Sequence, residues 1–223
     1  MRFIRYSRIC LICSFLLTIS ACQFVAEQPV GEMDEKMPNN EIPLSMVEKS
    51  TTINPYLNNS VAVPDPILER FRKANEALAN GDLDFSEQEL RWIIEQYPDL
   101  SGPTLSLAVL HRIADNSEQA EIFFRKTIEK NHQNIYAYNQ YGVFLREQGR
   151  FTDAEKAYQQ ALAIWPQYPD ANINLAILYD LYMGRLESAV KYYAIYRDLL
   201  GQPDRKIDGW IIDAERRLAS SQR

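Results

Sequence analysis

The sequence predicts an all-α solenoid of about four helix-turn-helix repeats, closed by a C-terminal capping helix. Three observations lead to this fold. Residues after position 65 recur at a spacing of 34, which indicates stacked units of two helices each. Glycine and proline recur at the same places in these units, where helices must end. The composition, 46% hydrophobic and 11% aromatic, suits a folded helical domain.

The first element along the chain is a predicted signal peptide, residues 1–21. A short segment with three arginines precedes an 11-residue apolar run, ICLICSFLLTI, over residues 9–19. A bilayer span needs about 20 apolar residues, so this run is too short to cross a membrane. It has the length and the basic flank of a secretory signal.

The end of this signal resembles the lipobox of bacterial lipoproteins. The apolar run is followed by Ile19-Ser20-Ala21-Cys22, a branched apolar residue, two small residues and a cysteine. The resemblance implies a diacylglycerol group on the Cys22 thiol, cleavage after Ala21 and acylation of the new amine. Gln23 in place of aspartate implies sorting to the periplasmic side of the outer membrane. The alternative is an ordinary signal peptide that leaves Cys22 as a free thiol.

A tether is predicted over residues 22–64, with the lipidated cysteine at its start. Five prolines, frequent asparagines and acidic residues, and no apolar periodicity characterise it. Such a segment buries too little apolar surface to offset the entropy of ordering, so we expect disorder. A flexible coil of its length has an end-to-end distance of about 35 Å, enough to hold a folded domain clear of lipid headgroups.

Repeats are predicted over residues 65–203, in units of about 65–98, 101–134, 135–168 and 169–202. The recurring residues are small, apolar or turn-forming. They are Gly81, Leu83, Ser86, Leu90, Ile93 and Pro98, then Ala120, Phe124, Thr127 and His132, then Gly149, Phe151, Ala154, Tyr158, Ala161 and Pro166, and finally Leu175, Ala176, Tyr179, Ala189 and Tyr193. One residue is inserted in the last unit before Ala189.

These units resemble the tetratricopeptide repeat, a pair of antiparallel helices. The third unit matches the signature of that family at eight positions: Tyr138, Tyr141, Gly142, Leu145, Ala154, Tyr158, Ala161 and Pro166. The pattern predicts a close helix crossing at Gly142 and Ala154. The departures are Lys73 in the first unit, which indicates a terminal repeat, and Asp115-Asn116 at the turn of the second.

The last element is a capping helix and tail, residues 204–223. Apolar residues form one stripe of this helix and charged residues the opposite side. The stripe consists of Ile207, Trp210, Ile211, Ala214 and Leu218. A solenoid leaves an apolar face at its end, and a helix of this kind covers it.

Charge and side-chain chemistry exclude several classes of function. Cleavage after Ala21 leaves 21 basic against 30 acidic residues, a net charge of −9, which excludes a phosphate-neutralising nucleic-acid surface. No cysteine follows Cys22, so neither a disulfide nor a thiolate metal site is expected downstream. His111 and His132 have no catalytic partner at a useful spacing. We therefore expect no enzyme activity, no small-molecule substrate, no metal, and no cofactor apart from the covalent lipid on Cys22.

The resemblance to tetratricopeptide repeats implies a groove lined by the first helix of each unit, which binds a peptide or helix of another protein. The implied groove residues are Leu105, Ser106, Val109, Arg112, Tyr136, Asn139, Gln140, Val143, Arg146, Asp170, Ile173, Asn174, Ile177 and Asp180. The asparagine and glutamine side chains suit a peptide backbone. Arg112 and Arg146 recur on one face and suit a carboxylate. The alternative is that these polar groups only keep the groove hydrated.

The function expected from these features is that of a membrane-anchored interaction scaffold or assembly factor of the bacterial envelope. The string over residues 139–151, NQYGVFLREQGRF, resembles the corresponding repeat of type IV pilus pilotin lipoproteins, so a pilotin-like role is one alternative. Those proteins have about six repeats, more than this chain. A second alternative is a non-catalytic subunit of an envelope enzyme or of a proton-channel-coupled complex. A third is a passive tether without a ligand.

Overall fold

The computed structural model describes Asn54 and residues 62–221. The predicted signal peptide, Cys22 and nearly all of the predicted tether lie outside these described residues. Within them all regular secondary structure is helical, as the sequence predicts. The helices are α1 (Asp65–Ala79), α2 (Leu83–Gln96), α3 (Ser101–Ile113), α4 (Ser117–Lys130), α5 (Ile135–Glu147), α6 (Phe151–Ile164), α7 (Pro169–Ile177), the π-helix π1 (Leu178–Met183), α8 (Leu186–Leu200) and α9 (Arg205–Ser221). No described helix has the length and apolarity needed to span a bilayer.

Each unit is a helical hairpin: α1 packs on α2, α3 on α4, α5 on α6, and α7 on α8. The turns between the two helices of a unit are formed at the repeated glycines. Gly81 and Gly149 adopt φ angles of 81° and 74° after the first helix of their units. Asp115 takes the same left-handed conformation in the second unit, with φ of 57°. Since a Cβ atom is disfavoured there, the second turn carries backbone strain that the glycine turns lack.

The helix crossing of the third unit is close, as the sequence predicts. A Cβ atom added at Gly142 would lie 2.5 Å from Cε1 of Tyr158, on the facing helix α6. Tyr158 is fully buried, and so is Ala154, one turn away. The residue at position 142 must therefore be small, because the Tyr158 ring occupies the space that a larger side chain would need.

The residue inserted in the fourth unit is absorbed within the helix. The chain widens from α7 into the six-residue π1, and Gly184 ends it with φ of 65°. A π turn holds one extra residue without breaking the hydrogen-bonded backbone. The downstream repeat positions thus keep their register, and Tyr193 and Ala189 remain buried.

The two ends of the solenoid differ. At the first unit, Lys73 is exposed and only a small cluster forms from Ala74, Leu90, Leu107 and Leu110. At the other end α9 packs on α8, burying Ile207, Ile211 and Ala214 as the predicted capping stripe requires. Trp210 packs against Tyr193 with ring centroids 5.6 Å apart. Its indole is therefore part of the capping contact.

Consecutive units are joined by a carboxylate, an arginine and a tyrosine, a feature that sequence reasoning missed. Glu121 of α4 accepts hydrogen bonds from Tyr141 Oη at 2.8 Å and from Arg150 Nη1 at 2.8 and 2.9 Å. The contact repeats one unit later. There Glu155 accepts from Tyr179 Oη at 2.7 Å and from Arg185 Nη1 at 2.8 Å. The 34-residue spacing of the two glutamates was the signal available in the sequence.

The electrostatics of Glu121 show how strongly this contact favours the ionised carboxylate. Partial burial alone would raise its pKa. Hydrogen bonds from Arg150, Arg125 and Tyr141 outweigh that effect and lower the pKa to about 2. Burial, together with the bond to the carboxylate, raises the pKa of Tyr141 to about 12. Both groups therefore keep their hydrogen-bonding states throughout the neutral range.

Candidate functional site

The first helices of the units lie side by side. α1 contacts α3, α3 contacts α5, and α5 contacts α7, more extensively than the second helices contact one another. We call the surface formed by α1, α3, α5 and α7–π1 the inner face. All predicted groove residues lie on the helices that form this face.

The apolar groove residues line the base of the inner face. They are half-buried and pack against the main core cluster while keeping part of their surface accessible. They are Leu105, Val109, Tyr136, Val143, Ile173 and Ile177. A surface of this kind offers apolar contact area to a ligand without the cost of exposing the core.

The polar groove residues are partly committed to one another. Asn174 Nδ2 donates to Asn139 Oδ1 at 3.0 Å, which ties α7 to α5. Ser106 Oγ donates to Asn75 Oδ1 at 2.7 Å and ties α3 to α1 in the same way. Asn139 is only 2% exposed, so its side chain positions Asn174 and does not itself present to a ligand. This corrects the prediction for Asn139.

Asn174 retains hydrogen-bonding capacity. It is half-buried, and its Oδ1 accepts no hydrogen bond from the described residues. Gln140 is half-buried and Asp170 is exposed on the same face. These three remain candidates for contact with a ligand, as predicted from the sequence.

The two arginines predicted to meet a carboxylate differ in the structure. Arg112 Nη1 forms an ion pair with Glu147 Oε1 at 2.7 Å, so its charge is already compensated. Arg146 has no carboxylate partner among the described residues, and its Nη1 atom is buried without a hydrogen bond. Its guanidinium lies 5.8 Å from the centroid of the Tyr182 ring. A half-buried guanidinium beside an aromatic ring, without a carboxylate partner among the described residues, suits a planar carboxylate.

Asp180 is not available to a ligand. Its carboxylate accepts a hydrogen bond from Tyr193 Oη at 3.1 Å and forms an ion pair with Arg217 of the capping helix. The Asp180 side chain is 7% exposed. The prediction that Asp180 faces a ligand is therefore corrected: it anchors α9, a contact set by a residue 37 positions away.

An aromatic and amide cluster at the N-terminal end of α5 was not foreseen. Tyr136 meets Tyr168 edge-on with centroids 5.7 Å apart, and Tyr168 stacks on Trp165, also at 5.7 Å. Burial raises the pKa of Tyr168, whose neighbours include Asp170 and Asn139. Asn54, from the predicted tether, donates from Nδ2 to Tyr136 Oη at 2.8 Å and is 6% exposed. No sequence signal marked Asn54, because its segment has no periodicity.

The two histidines lie in different surroundings. His111 is buried and stacks on Phe123 with centroids 5.3 Å apart, and burial lowers its pKa. His132 is exposed in the loop after α4. Over the described part of the chain, no three His, Cys, Asp or Glu residues are grouped so as to hold a metal ion.

Comparisons with known proteins agree with this architecture. Residues 134–198 match the family described as tetratricopeptide repeat. Comparison with curated proteins gives no significant match. Among solved structures, Pseudomonas aeruginosa PilF is similar with a TM-score of 0.62 and 20% identity over 69% of each chain. A thermophilic tetratricopeptide-repeat protein of Thermus thermophilus has a TM-score of 0.57 and 22% identity over 65% of this chain and 79% of that one.

A third similar structure is a MamA fragment from Desulfovibrio magneticus RS-1. Its TM-score is 0.57 and its identity 16%, over 71% of this chain and 88% of that one. At these identities the likeness shows a shared fold. Together with the hairpin units, the left-handed glycine turns and the Gly142–Tyr158 crossing, it shows that the described part of the chain is an all-α solenoid, of which residues 134–198 match the tetratricopeptide-repeat family.

Proposed function

We propose that this protein is a lipid-anchored scaffold of the bacterial envelope that binds an extended segment of a partner protein on its inner face. The observation that carries the proposal is Arg146, a cation on the inner face without an anionic partner among the described residues. Asn174 offers an unused acceptor on the next helix, and Val143 and Ile177 supply apolar surface beside it. A partner segment with a carboxylate and free backbone amides fits this combination.

The inner face suits binding better than catalysis. Its polar side chains are held by neighbouring helices, and the buried histidine His111 is stacked on Phe123. We propose that the protein has no enzymatic activity and acts by holding partners in place. The acidic net charge supports a protein partner and disfavours nucleic acid.

Capture from envelope extract tests the inner face. The full chain, Arg146→Ala and Lys156→Ala are compared at equal loading. Lys156 is exposed on α6, a second helix, so its loss removes the same charge away from the inner face. A partner released by Arg146→Ala and retained by Lys156→Ala supports the proposal. Equal release by both variants would assign the capture to general charge, and equal retention would remove Arg146 from the site.

The proposed anchor rests on Ile19-Ser20-Ala21-Cys22 and on the absence of any later cysteine in the sequence. Two or three acyl chains hold a protein on a membrane stably, whereas one chain does so only marginally. Cells fed labelled palmitate should incorporate label into the wild-type chain and into Cys13→Ser, and not into Cys22→Ser. Label that persists in Cys22→Ser would contradict lipidation at this position. Recovery in the outer-membrane fraction tests the proposed location.

A pilotin-like assembly role is a second candidate. It is favoured by the string NQYGVFLREQGRF, which forms most of α5 and the turn into α6. Arg146, in the last turn of that helix, lies within the string and on the inner face. A secretin subunit among the partners lost on Arg146→Ala substitution would favour this candidate over a general scaffold.

A further inference from the structure

Asn54, a described residue of the predicted tether, contacts the inner face. Asn54 lies 82 positions before Tyr136, yet its amide nitrogen is 2.8 Å from the tyrosine hydroxyl and its side chain is 6% exposed. The contact is at the second residue of α5, beside the Tyr168 ring. It therefore falls on the predicted ligand surface, far from the point where the tether joins the fold.

The length of chain between Asn54 and α1 permits this contact. Asn54 precedes Asp65 by 11 positions, and an extended chain of that length spans up to about 36 Å. α1 and α5 are two helix spacings apart on the inner face, about 20 Å at 8–10 Å per packed pair. Asn54 thus reaches Tyr136 without requiring α1 to leave its place.

We propose that Asn54 is an intramolecular ligand of the inner face, seated at an amide-recognising position formed by Tyr136 and Tyr168, and that a partner bearing an asparagine or glutamine side chain displaces it. The proposal rests on the proposed function of the inner face and specifies its ligand chemistry. Tyr136 supplies the acceptor oxygen for an amide N–H, and the Tyr168 and Trp165 rings form an aromatic wall beside it.

The tether makes this weak contact effective. A single side-chain amide binds poorly as a free molecule, but its covalent attachment to the same chain presents it at a roughly millimolar effective concentration. A partner must then compete with the bound Asn54. The partner's apparent affinity is its intrinsic affinity multiplied by the fraction of time for which the position is vacant. The chain thereby disfavours ligands that lack a competing amide.

A double-mutant cycle on the full chain tests the contact itself. Asn54→Ala and Tyr136→Phe each remove one half of the hydrogen bond, and the phenylalanine ring keeps the packing on Tyr168. Loss of this buried bond should raise the unfolding equilibrium constant about fivefold, toward the unfolded state, and the double variant should lose little more stability than either single one. The control pairs Tyr136→Phe with Asn80→Ala, an exposed asparagine at the end of α1, and should be additive. Additive effects of Asn54→Ala and Tyr136→Phe would overturn the proposal.

A peptide probe tests the ligand chemistry. The synthetic peptide STTINPYLNN, which reproduces residues 50–59, is titrated against the full chain and against the Asn54→Ala variant. The vacated position should bind it up to about fivefold more tightly, and a peptide with alanine at the position of Asn54 should lose this gain. Equal affinity for both proteins would overturn the proposal. The outcome is separate from that of the Arg146 experiment. Partner capture can fail while the Asn54 contact persists, and the Asn54 contact can be absent while Arg146 still captures a partner.

Discussion

Replacing Gly142 by alanine is the sharpest test of the packing described above. The added methyl carbon would lie 2.5, 2.7 and 2.9 Å from three ring atoms of Tyr158, whereas carbon atoms in contact prefer about 3.5–4.0 Å. The ring is fully buried, so it cannot swing into solvent. Either the ring or one of the helices must move by about 1 Å.

The expected cost follows from two opposing effects. Overpacking of a filled core costs about 1–3 kcal/mol, and contact with three ring atoms places this site at the upper end. Alanine gains about 1 kcal/mol over glycine in a helix interior. We therefore expect Gly142→Ala to lower the free energy of unfolding by about 2 kcal/mol, a fall in Tm of about 4–8 °C for a domain of this size.

Gly209→Ala is the matched control. Gly209 also lies inside a helix, α9, and an added Cβ atom there would meet nothing within 4 Å. Only the difference in helix propensity remains, so the free energy of unfolding of this variant should rise by about 0.5–1 kcal/mol. Thermal and urea unfolding followed by circular dichroism measure both variants. A Gly142→Ala protein as stable as Gly209→Ala would refute the account of the crossing, and Tyr158→Leu should remove much of the difference by shortening the facing side chain.

Three further predictions concern the turns, the unit junctions and pH. Asp115→Gly should raise the unfolding free energy by about 0.5–1 kcal/mol by relieving a left-handed φ, and a loss of stability in urea titrations would contradict this. Glu121→Gln should cost about 1–2 kcal/mol, because the charged acceptor of two arginines and a tyrosine is lost. Glu129→Gln, exposed on the same helix, should stay within about 0.5 kcal/mol, and equal losses would count against the junction. Burial lowers the pKa of His111 below its value in the unfolded chain. The stability that the neutral imidazole contributes is therefore complete above about pH 6.5 and is lost as the pH falls through the folded pKa. His111→Phe should reduce the dependence of the melting temperature on pH between about pH 7 and 5, and an unchanged dependence would refute this.

The repeat architecture was predictable because it depends on local sequence patterns, namely turn glycines and residue sizes that recur every 34 positions. Gly149 marks a turn by itself, since few other residues adopt its φ angle. Gly142 and Tyr158 recur at family positions, and the structure shows that the one is small because the other is large. The inserted residue of the fourth unit was visible in the spacing, but its absorption into a π-helix was not. The hydrogen-bond register of a helix depends on what packs around it.

The groove was predictable as a surface and much less so as a set of available groups. Repeat position correctly placed Asn139, Arg146 and Asp180 on the first helices. It did not reveal that Asn139 accepts a hydrogen bond from Asn174, nor that Asp180 forms an ion pair with Arg217 of the capping helix. Whether a polar side chain is free depends on every neighbour within about 3 Å, and repeat position specifies none of these.

The sequence by itself determined the helical units, their turns and the faces of the helices, because period, residue size and backbone preference act within a few residues of one another. The tertiary structure alone decided which charges and amides are already paired. The ion pair of Glu121 with Arg150 and the contact of Asn54 with Tyr136 join residues 29 and 82 positions apart. Such contacts form only when stacked helices bring distant side chains together, and one-dimensional spacing does not record that distance.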